Sequence, residues 1–479
     1  MLGAPGDDNT GSRCHTGRYG VLLTDSVYPK QLLAGPPRKE GTVNPSPNQA
    51  TDRFEAALYR KITMRLMPYL FLCYVVTYIN RVNVSFAKLQ MQQDLGMSEA
   101  VYGLGAGMFF VGYFFFNVPS NMVLKKVGAR GLLGSILIFR GILSAWMMFV
   151  HGATSYYVLR FIGGAVEAGF FPGVVLYFTF WYTSKHLGKM MAIFFAAVPL
   201  SGIFAGPFLG WILKHLQGAA GLAGWQWLYL ICGIPCSLVG VGLLFVLTND
   251  PGRATWLSAD EKRLVLGNLQ AEHIAHKRAG GAKSKLSDAF RNGSVWLLCV
   301  VDFGITAGNY GIAFYLPQVI KNGITKDPVA IGWLSAIPWV VTTIAMLVVG
   351  HHSDKTGERR WHLTLCCFSG AVAFAVSSLP GAPGVVILAA LSIATAAILS
   401  ALAVFWAVPS ALLAGTAAAV GIAWINAVGN LAGYASPHAI GIIVDHTHSM
   451  TLAMLAMSGS MLVSSVLTLY VTRKGALHQ

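Results

Sequence analysis

Two charged residues inside an apolar stretch are the part of this sequence best suited to do chemistry. Arg160 and Glu167 lie seven residues apart in the run Tyr156–Gly169. That spacing places both on one face of a helix, about 10 Å apart along its axis. Because a charged side chain inside a membrane helix costs at least about 2.5 kcal/mol, we expect both to face a protected cavity. The pair predicts an anion-binding cation beside a carboxyl group that takes up a proton; a structural ion pair between helices is the alternative.

A second cation, Arg81, lies well inside the first apolar stretch, flanked by Asn80 and Asn83. A guanidinium group offers a planar fork of donors that can bind a carboxylate through two hydrogen bonds. Snorkelling of the side chain to the membrane surface is the alternative. Together, Arg81 and Arg160 predict a binding site for an organic anion.

The elements that must position these residues are membrane helices. Of the 479 residues, 55% are hydrophobic and only 11% are charged, whereas a soluble protein has about 25% charged residues. Apolar stretches of about 20 residues recur, and each is long enough to cross a bilayer as a helix. We predict an all-α membrane protein with twelve transmembrane helices in two six-helix bundles. The predicted spans lie near residues 66–88, 100–124, 131–151, 154–178, 188–214, 226–248, 294–320, 329–350, 361–380, 384–408, 415–444 and 450–472.

A polar, charged segment near the middle of the chain separates these spans six and six. Within it, Ser258 followed by Glu261 fits a capping box that would start a short amphipathic helix on the inner membrane face. Two six-helix halves joined by a long basic loop are typical of secondary transporters. The predicted parts are a disordered cytoplasmic tail (1–60), an N-terminal bundle (61–249), a cytoplasmic loop (250–292) and a C-terminal bundle (293–479).

Small residues at a spacing of four predict a close helix contact in the fifth span. Gly202, Gly206 and Gly210 follow this pattern, which lets two helix backbones approach each other. Pro207 in the same span predicts a kink.

The distribution of charge orients the chain and argues against a nucleic-acid partner. The formal net charge is +15, from 34 Lys and Arg against 19 Asp and Glu. With both termini in the cytoplasm, most of these cations fall on the cytoplasmic side, as the positive-inside rule requires. Four fall outside and three within helices: Lys88, Lys214, Lys321 and Lys326, and Arg81, Arg140 and Arg160. We therefore expect a multi-pass protein of the bacterial inner membrane. Its positive net charge is explained by its orientation in the lipid bilayer and requires no further partner.

The seven cysteines are scattered and mostly lie within the predicted helices. They indicate neither a disulfide framework nor a metal site. No cofactor is expected either.

Several longer motifs give the chain a family resemblance over roughly residues 60–475. It resembles a major facilitator superfamily transporter of the anion:cation symporter family. The motifs are Tyr78–Ala87, Gly112–Asn121, Arg160–Pro172, Gly350–His362, Phe405–Pro409 and Ile425–Leu431. Members of this kind import tartrate, phthalate, hydroxyphenylacetate or sugar acids with protons, and are usually monomers.

The resemblance implies a set of site residues by position. Arg81 and Arg160 would hold the substrate carboxylate, and Glu167 would be a proton-coupling site. The remaining cavity-lining residues would be Tyr78 and Tyr113 from the first half, and Phe405, Trp406, Asn426 and Asn430 from the second. Asn426 and Asn430 are four residues apart and share a helix face, so helix–helix hydrogen bonding is the alternative for both.

A turn between the eighth and ninth spans resembles the family's conformational latch. Gly350, Asp354, Gly357, Arg359 and Arg360 fit the pattern Gly-x-x-x-Asp-x-x-Gly-x-Arg-Arg. An ion pair between Asp354 and these arginines at a helix end would hold one conformation and break in the other.

Several positions depart from the family pattern, among them Asn117, where Glu is common, and Ser135, where Arg is expected. Asn80 stands where most members have Asp, so one titratable group is missing. Arg140 stands where Trp is usual, and Asp302 replaces an aromatic residue in the seventh span. Since an intramembrane Asp is costly unless paired or protonated, Asp302 is a candidate for a second proton-coupling carboxyl. The alternative is that Asp302 lies near the inner end of its helix and is simply solvated.

These patterns predict proton-coupled uptake of a small organic anion, such as tartrate, a sugar acid or an aromatic carboxylate, by alternating access. An uncoupled facilitator or an anion exchanger on the same fold is the alternative, favoured by Asn80. A receptor would be expected to carry a signalling domain. An enzyme is not indicated, because no HExxH or GxSxG motif occurs.

Overall fold

A computed structural model describes residues 47–278, 292–412 and 415–473. It divides the chain into two units, residues 1–51 and 52–479, and of the first only the start of helix α1 is described. The regular structure of the described residues is helical, without strands. Residues 1–46 of the predicted disordered tail lie outside the described residues. Helix α1 begins at Pro47, so residues 47–60 are helical and not part of a disordered tail as predicted.

The N-terminal helices, as we call α1–α7, precede the polar segment. Proline and glycine break two of the predicted spans into helix pairs, α3 with α4 and α5 with α6. The bounds are α1 Pro47–Asp94, α2 Glu99–Trp146, α3 Ala153–Glu167, α4 Phe170–Thr179, α5 Ser184–Phe195, α6 Ala197–His215 and α7 Gly224–Val246.

The polar segment forms helix α8, Ala259–Arg278, and is followed by the C-terminal helices, α9–α15. Their bounds are α9 Gly293–Gly323, α10 Pro328–Thr356, α11 Arg360–Ser377, α12 Gly384–Phe405, α13 Ala407–Leu412, α14 Gly415–Thr447 and α15 Met450–Arg473. Ten helical stretches of the described residues are long and apolar enough to cross a membrane. Helices α11 and α14 occupy the places of the ninth and eleventh predicted spans.

Helix α2 contains two of the predicted spans, joined at a sharp turn. Gly128 there has φ 78° and ψ 164°, a conformation that glycine adopts at little cost because it has no Cβ. The Asn249 side chain accepts a hydrogen bond from the Arg130 backbone N–H at 3.1 Å. The two helical parts of α2 are therefore two separate spans that meet at Gly128.

Helix α8 is fastened to the N-terminal helices. Ser258 and Glu261 form the predicted reciprocal cap, with hydrogen bonds of 2.8 and 3.2 Å. Glu261 also pairs with Lys61 of α1 at 2.8 Å, and Trp256 stacks on Trp181 with ring centroids 5.5 Å apart. We call the side of the molecule that carries α8 the loop face, and the other side the opposite face.

The N-terminal and C-terminal helices meet toward the opposite face. The Asp445 carboxylate of α14 accepts hydrogen bonds from the backbone N–H groups of Glu99 and Ala100, both at 2.8 Å, where α2 begins. Lys214 at the end of α6 pairs with Asp327, the N-cap of α10, at 2.8 Å. These contacts, which all join the first group of helices to the second, close the opposite face.

The close helix contact predicted from the glycine spacing is present between α6 and α10. Gly202 lies against Trp339, Gly206 against the backbone oxygen of Gly332, and Gly210 against that of Pro328. A side chain at these positions would keep the two helices apart.

Candidate functional site

A buried carboxylate bound by two arginines forms the centre of the candidate site. Glu167, the last residue of α3, has no exposed surface. Arg81 of α1 donates to its Oε1 from Nε at 2.9 Å and also from Nη2. Arg140 of α2 donates to the other oxygen, Oε2, from Nε at 2.9 Å. Each carboxylate oxygen of Glu167 is thus bound by a different helix.

Arg140 was recognised from the sequence only as a departure from the family pattern, and its role was missed. It is 5% exposed and also donates from Nη2 to the backbone oxygen of Asn80 at 2.7 Å. A cation in the middle of an apolar span was the available signal. Its partner could not be identified, because spacing along the chain does not show which helices are neighbours.

Arg160 does not bind the carboxylate that lies seven residues further along its own helix. It is 4% exposed and donates to the backbone oxygens of Gly105 and Ala106, both at 3.3 Å. Glu167 thus forms ion pairs with other helices, as the alternative interpretation of this charged pair expected. Arg160 forms no ion pair with Glu167 and is bound to the backbone of α2.

All three cations surround one aromatic ring. The guanidinium carbons of Arg81, Arg140 and Arg160 lie 5.6, 5.7 and 5.0 Å from the ring centroid of Phe109. At such distances the electron-rich ring face attracts a cation. The cluster holds three guanidinium groups and a single carboxylate, so it is strongly positive and suited to an anion.

Arg81 is the most accessible of these cations, with 20% of its side chain exposed. Tyr113 stacks on Phe109, the ring over which Arg81 lies, and Tyr310 is also near this guanidinium group. Tyr310 belongs to α9 and packs against Phe110 with ring centroids 4.3 Å apart. This tyrosine of the C-terminal helices was not identified from the sequence; the glycines on either side of it, Gly308 and Gly311, were the only signal.

The predicted tyrosines take different positions. Tyr113 is partly exposed and stacks on Phe109 at 6.4 Å between ring centroids. Tyr78 is 8% exposed and packs edge-on against Trp339 of α10 at 6.1 Å. Tyr113 is therefore partly exposed beside the arginine cluster, and Tyr78 joins the two groups of helices.

The predicted C-terminal residues differ in their exposure. Phe405 has no exposed surface and lies in the core, edge-on to the partly exposed Trp406 at 5.3 Å. Asn430 donates to the backbone oxygen of Asn426 at 2.8 Å and to its side-chain oxygen at 3.2 Å. These two amides thus bond within α14, and Asn426 is also exposed.

Asp302 is buried in α9, with 2% exposure. The alternative that it is simply solvated at a helix end is therefore wrong. Its carboxylate abuts Gly429 of α14, and its Oδ1 has no hydrogen-bond partner among the described residues. It lies in the C-terminal helices and is not paired with Arg140, which binds Glu167.

The turn between α10 and α11 contains the predicted ion pair. Arg359 donates to Asp354 at 2.6 Å and to the Ser353 hydroxyl at 2.9 Å. The Glu358 carboxylate caps the start of α11 by accepting hydrogen bonds from the backbone N–H groups of Trp361 and His362. Partial burial raises the pKa of this carboxyl, but these hydrogen bonds outweigh that effect, so its pKa is lowered overall. Arg360 is not in this ion pair and lies over the Trp361 ring, 5.3 Å from its centroid. The described residues contain no group of His, Cys, Asp or Glu that could hold a metal ion.

Comparison with known proteins agrees with this architecture. Residues 70–437 match the Major Facilitator Superfamily. The candidate metabolite transport protein NicT of Pseudomonas putida is 42% identical over 423 residues, which cover 88% of this chain and 96% of NicT. A candidate tartrate transporter of Agrobacterium vitis is 41% identical over 88% of this chain and 93% of its own length. The inner membrane transport protein RhmT of Escherichia coli is 34% identical over 85% and 94%, respectively.

Solved structures share the fold at low sequence identity. A bacterial homologue of the lysosomal transporter Spinster aligns with a TM-score of 0.71 and 15% identity over 85% of this chain and 96% of its own. A D-xylose–proton symporter aligns with a TM-score of 0.67 and 16% identity over 85% and 97%. At this level of identity, the likeness concerns the fold alone.

Proposed function

The chain belongs to the major facilitator superfamily and is a multi-pass membrane transporter, not an enzyme, and on that premise we propose that it takes up a small organic anion together with protons. The observation that supports this most directly is the partly exposed guanidinium group of Arg81, which is bound to the buried Glu167. This arrangement joins an anion-binding group to a group that can accept a proton.

Protonation of Glu167 would couple the proton to the anion through competition for Arg81. Both donors that Arg81 uses are occupied by Oε1 of Glu167 in this state. A proton on that carboxyl removes its charge and weakens the charge-assisted hydrogen bonds. The fork of donors then becomes available to a substrate carboxylate, so that proton and anion bind together and leave together.

The other predicted residues would act on the substrate either by direct contact or from a distance. Tyr113, with Tyr310 added from the structure, would contact the substrate beside Arg81, and Trp406, Asn426 and Asn430 would complete the site. Arg160 would attract the anion by its charge while it remains bound to the backbone of α2. Tyr78 would act through its contact with Trp339, and Phe405 is left out because it has no exposed surface.

Alternating access follows from the closed opposite face. Because Asp445 and Lys214 tie the two groups of helices together there, we propose that substrate reaches Arg81 from the loop face in this state. The positive-inside rule makes the loop face cytoplasmic, with both termini on that side of the bacterial inner membrane. The Asp354–Arg359 pair would be the latch that is rearranged when the loop face closes.

The site and the relatives both support a proposal for the substrate class. Arg81 selects a carboxylate, and the tyrosines beside it can contact either an aromatic ring or the hydroxyls of a sugar acid. Two similar proteins of Agrobacterium vitis, 41% and 42% identical, are named as candidate tartrate transporters. We propose tartrate, a sugar acid or an aromatic carboxylate, carried by a monomer that needs no cofactor and binds no nucleic acid.

Accumulation in proteoliposomes tests the coupling. The purified chain should concentrate a labelled organic acid when the outside is acidic. Glu167→Gln should still bind and exchange the substrate but lose this accumulation, because the site can no longer release a proton. Glu55→Gln, the same change at a carboxyl of α1 outside the arginine cluster, is the matched control and should behave as the unaltered chain.

Two results would contradict the proposal in different ways. Full pH-driven accumulation by Glu167→Gln removes Glu167 from the coupling. Equilibration without accumulation by the unaltered chain supports the second candidate, an uncoupled facilitator or anion exchanger. That candidate is favoured by Asn80, which cannot titrate and whose Nδ2 is bound to backbone oxygens of Val76 and Cys232.

A further inference from the structure

The arginine cluster around Phe109 carries more positive charge than its own carboxylate balances. The guanidinium carbons of Arg81, Arg140 and Arg160 lie 5.0–5.7 Å from the centroid of that ring. In the described part of the chain, Glu167 is the only carboxylate hydrogen-bonded to them. Three positive charges against one negative charge leave an excess of two, and protonation of Glu167 would raise this excess to three.

The second buried carboxyl group does not remove the excess. Asp302 lies in α9, is 2% exposed and abuts Gly429, and no hydrogen bond joins it to the three arginines. In the proposed cycle it takes up a proton, so it is neutral when the substrate is bound. The cluster therefore keeps its positive excess in the loaded state.

A small cavity beside the cluster does not hold a compensating ion either. It measures about 10 Å³, which is at the lower limit for one water molecule. Asn80 and Asn83 line it, and among the described residues neither Asn80 Oδ1 nor Asn83 Nδ2 has a hydrogen-bond partner. An acceptor beside a donor suits a water molecule, which is neutral. Compensation must therefore come from what binds at the partly exposed Arg81.

The excess decides how many charges the substrate should bring. Buried charge is costly unless opposite charge balances it, and a monocarboxylate offsets one charge where a dicarboxylate offsets two. We propose that the transported anion is a dicarboxylate, selected over a monocarboxylate of the same size by the uncompensated charge of the arginine cluster. Its second carboxylate needs no guanidinium group of its own, because a group of like charges attracts the opposite charge beyond direct contact. This inference rests on the proposed anion transport and narrows its substrate class.

Binding of matched acids to the purified full chain tests the selection by charge. Each diacid is compared with its monoamide, which has nearly the same shape and one negative charge fewer. The pairs are tartrate with tartramate and phthalate with phthalamate. In the pair that binds, calorimetry should give a Kd about tenfold or more lower for the diacid, because its additional charge interacts with the excess. Equal affinities would overturn the inference and leave the proposed anion binding intact, whereas binding of neither pair would overturn both.

A single added charge tests the role of the cluster directly. Asn83 lines the cavity together with Arg140 and Arg160, and an oxygen in place of its unpartnered Nδ2 breaks no hydrogen bond of the described residues. Asn83→Asp lowers the excess by one and should reduce the preference for the diacid by about tenfold.

Asn322→Asp, the same change at an exposed position of α9, is the matched control and should keep the full preference. An undiminished preference in Asn83→Asp, or an equal loss in both variants, would contradict selection by the cluster. The comparison of diacid with monoamide on the unaltered chain needs no variant, so it decides the matter even where Asn83→Asp fails to fold.

Discussion

Among the single residues, Arg81 and Arg140 share one carboxylate but differ in what surrounds them. Arg140 is buried and also bound to the backbone of α1, whereas Arg81 is partly exposed. Removing one partner of a buried ion pair typically costs about 3–5 kcal/mol, since the other charge is left unbalanced. In the proposed exchange, Arg140 would continue to hold the protonated Glu167 in place while Arg81 turns to a substrate.

The buried carboxyl of Asp302 is the second proposed proton-coupling group, and replacing it should reduce accumulation. In Asp302→Asn, we expect the ratio of accumulated to external substrate to fall by about tenfold for each unit of pH gradient, because one coupled proton contributes that factor. Uptake rates against pH and steady-state accumulation in proteoliposomes measure it. Asp260→Asn, on the exposed surface of α8, is the control. Unchanged accumulation and pH profile would remove Asp302 from the coupling.

Among the helices, the crossing of α6 and α10 depends on glycine in both. The backbone oxygen of Gly206 lies where a Cβ on Gly332 would be, and the reverse also holds. Packing of this kind gains van der Waals contact between backbones, which is the main source of association inside a bilayer. The two helices can close the opposite face only while this contact is free of side chains.

A methyl group placed in this crossing should open it. Gly332→Ala meets backbone atoms that cannot move aside, and such overpacking costs about 1–3 kcal/mol. We expect the closed opposite face to become about 5–150-fold less favoured. Spin labels at the ends of α6 and α10 near the opposite face would show a longer distance. Gly350→Ala on the same helix, where a methyl group meets nothing within 4 Å, should leave the distance unchanged; a similar result for both variants would contradict the role of the crossing.

The apolar runs and the glycine spacing were enough to predict the helices and a close contact made by α6, because both depend on local composition, but they did not identify α10 as its partner. The pairing of charges was not predictable in the same way. Arg160 and Glu167 share a helix, but their partners come from α1 and α2, and the rotation of each helix in the bundle decides which side chains meet. Phe405 shows the same limit: its motif places it near the site, and packing buries it completely.

The whole molecule is held in one state by charges at the opposite face. Asp445 binds the first N–H groups of α2 across the two groups of helices, where the helix dipole favours a negative charge. Nearby, Lys88 is fully buried, paired with Glu99 at 2.6 Å and placed between the rings of Tyr102 and Tyr315 at 4.5 and 4.2 Å. Opening this face must separate Asp445 from α2, so its contact sets part of the balance between the two states.

Neutralising Asp445 should therefore shift the population of states. Asp445→Asn keeps one acceptor and loses the charge, which we expect to weaken closure by about 1–2 kcal/mol. A cysteine introduced on the loop-face side of this contact should react about 5–30-fold faster with a thiol reagent added from the opposite face. Asp94→Asn, which changes a carboxylate bound to Trp225 within the N-terminal helices, should not alter that rate. Equal rates for Asp445→Asn and the unaltered chain would show that closure does not depend on this charge.

The buried Asp302 in the C-terminal helices has a further consequence, for the electrical behaviour of the transporter. With Glu167 and Asp302 each taking up one proton per cycle, a monocarboxylate would enter with a surplus positive charge and a dicarboxylate with none. Membrane voltage would then assist the first by about 2.3 kcal/mol per 100 mV and leave the second unaffected. The number of carboxylates on the cargo would decide whether uptake draws a current.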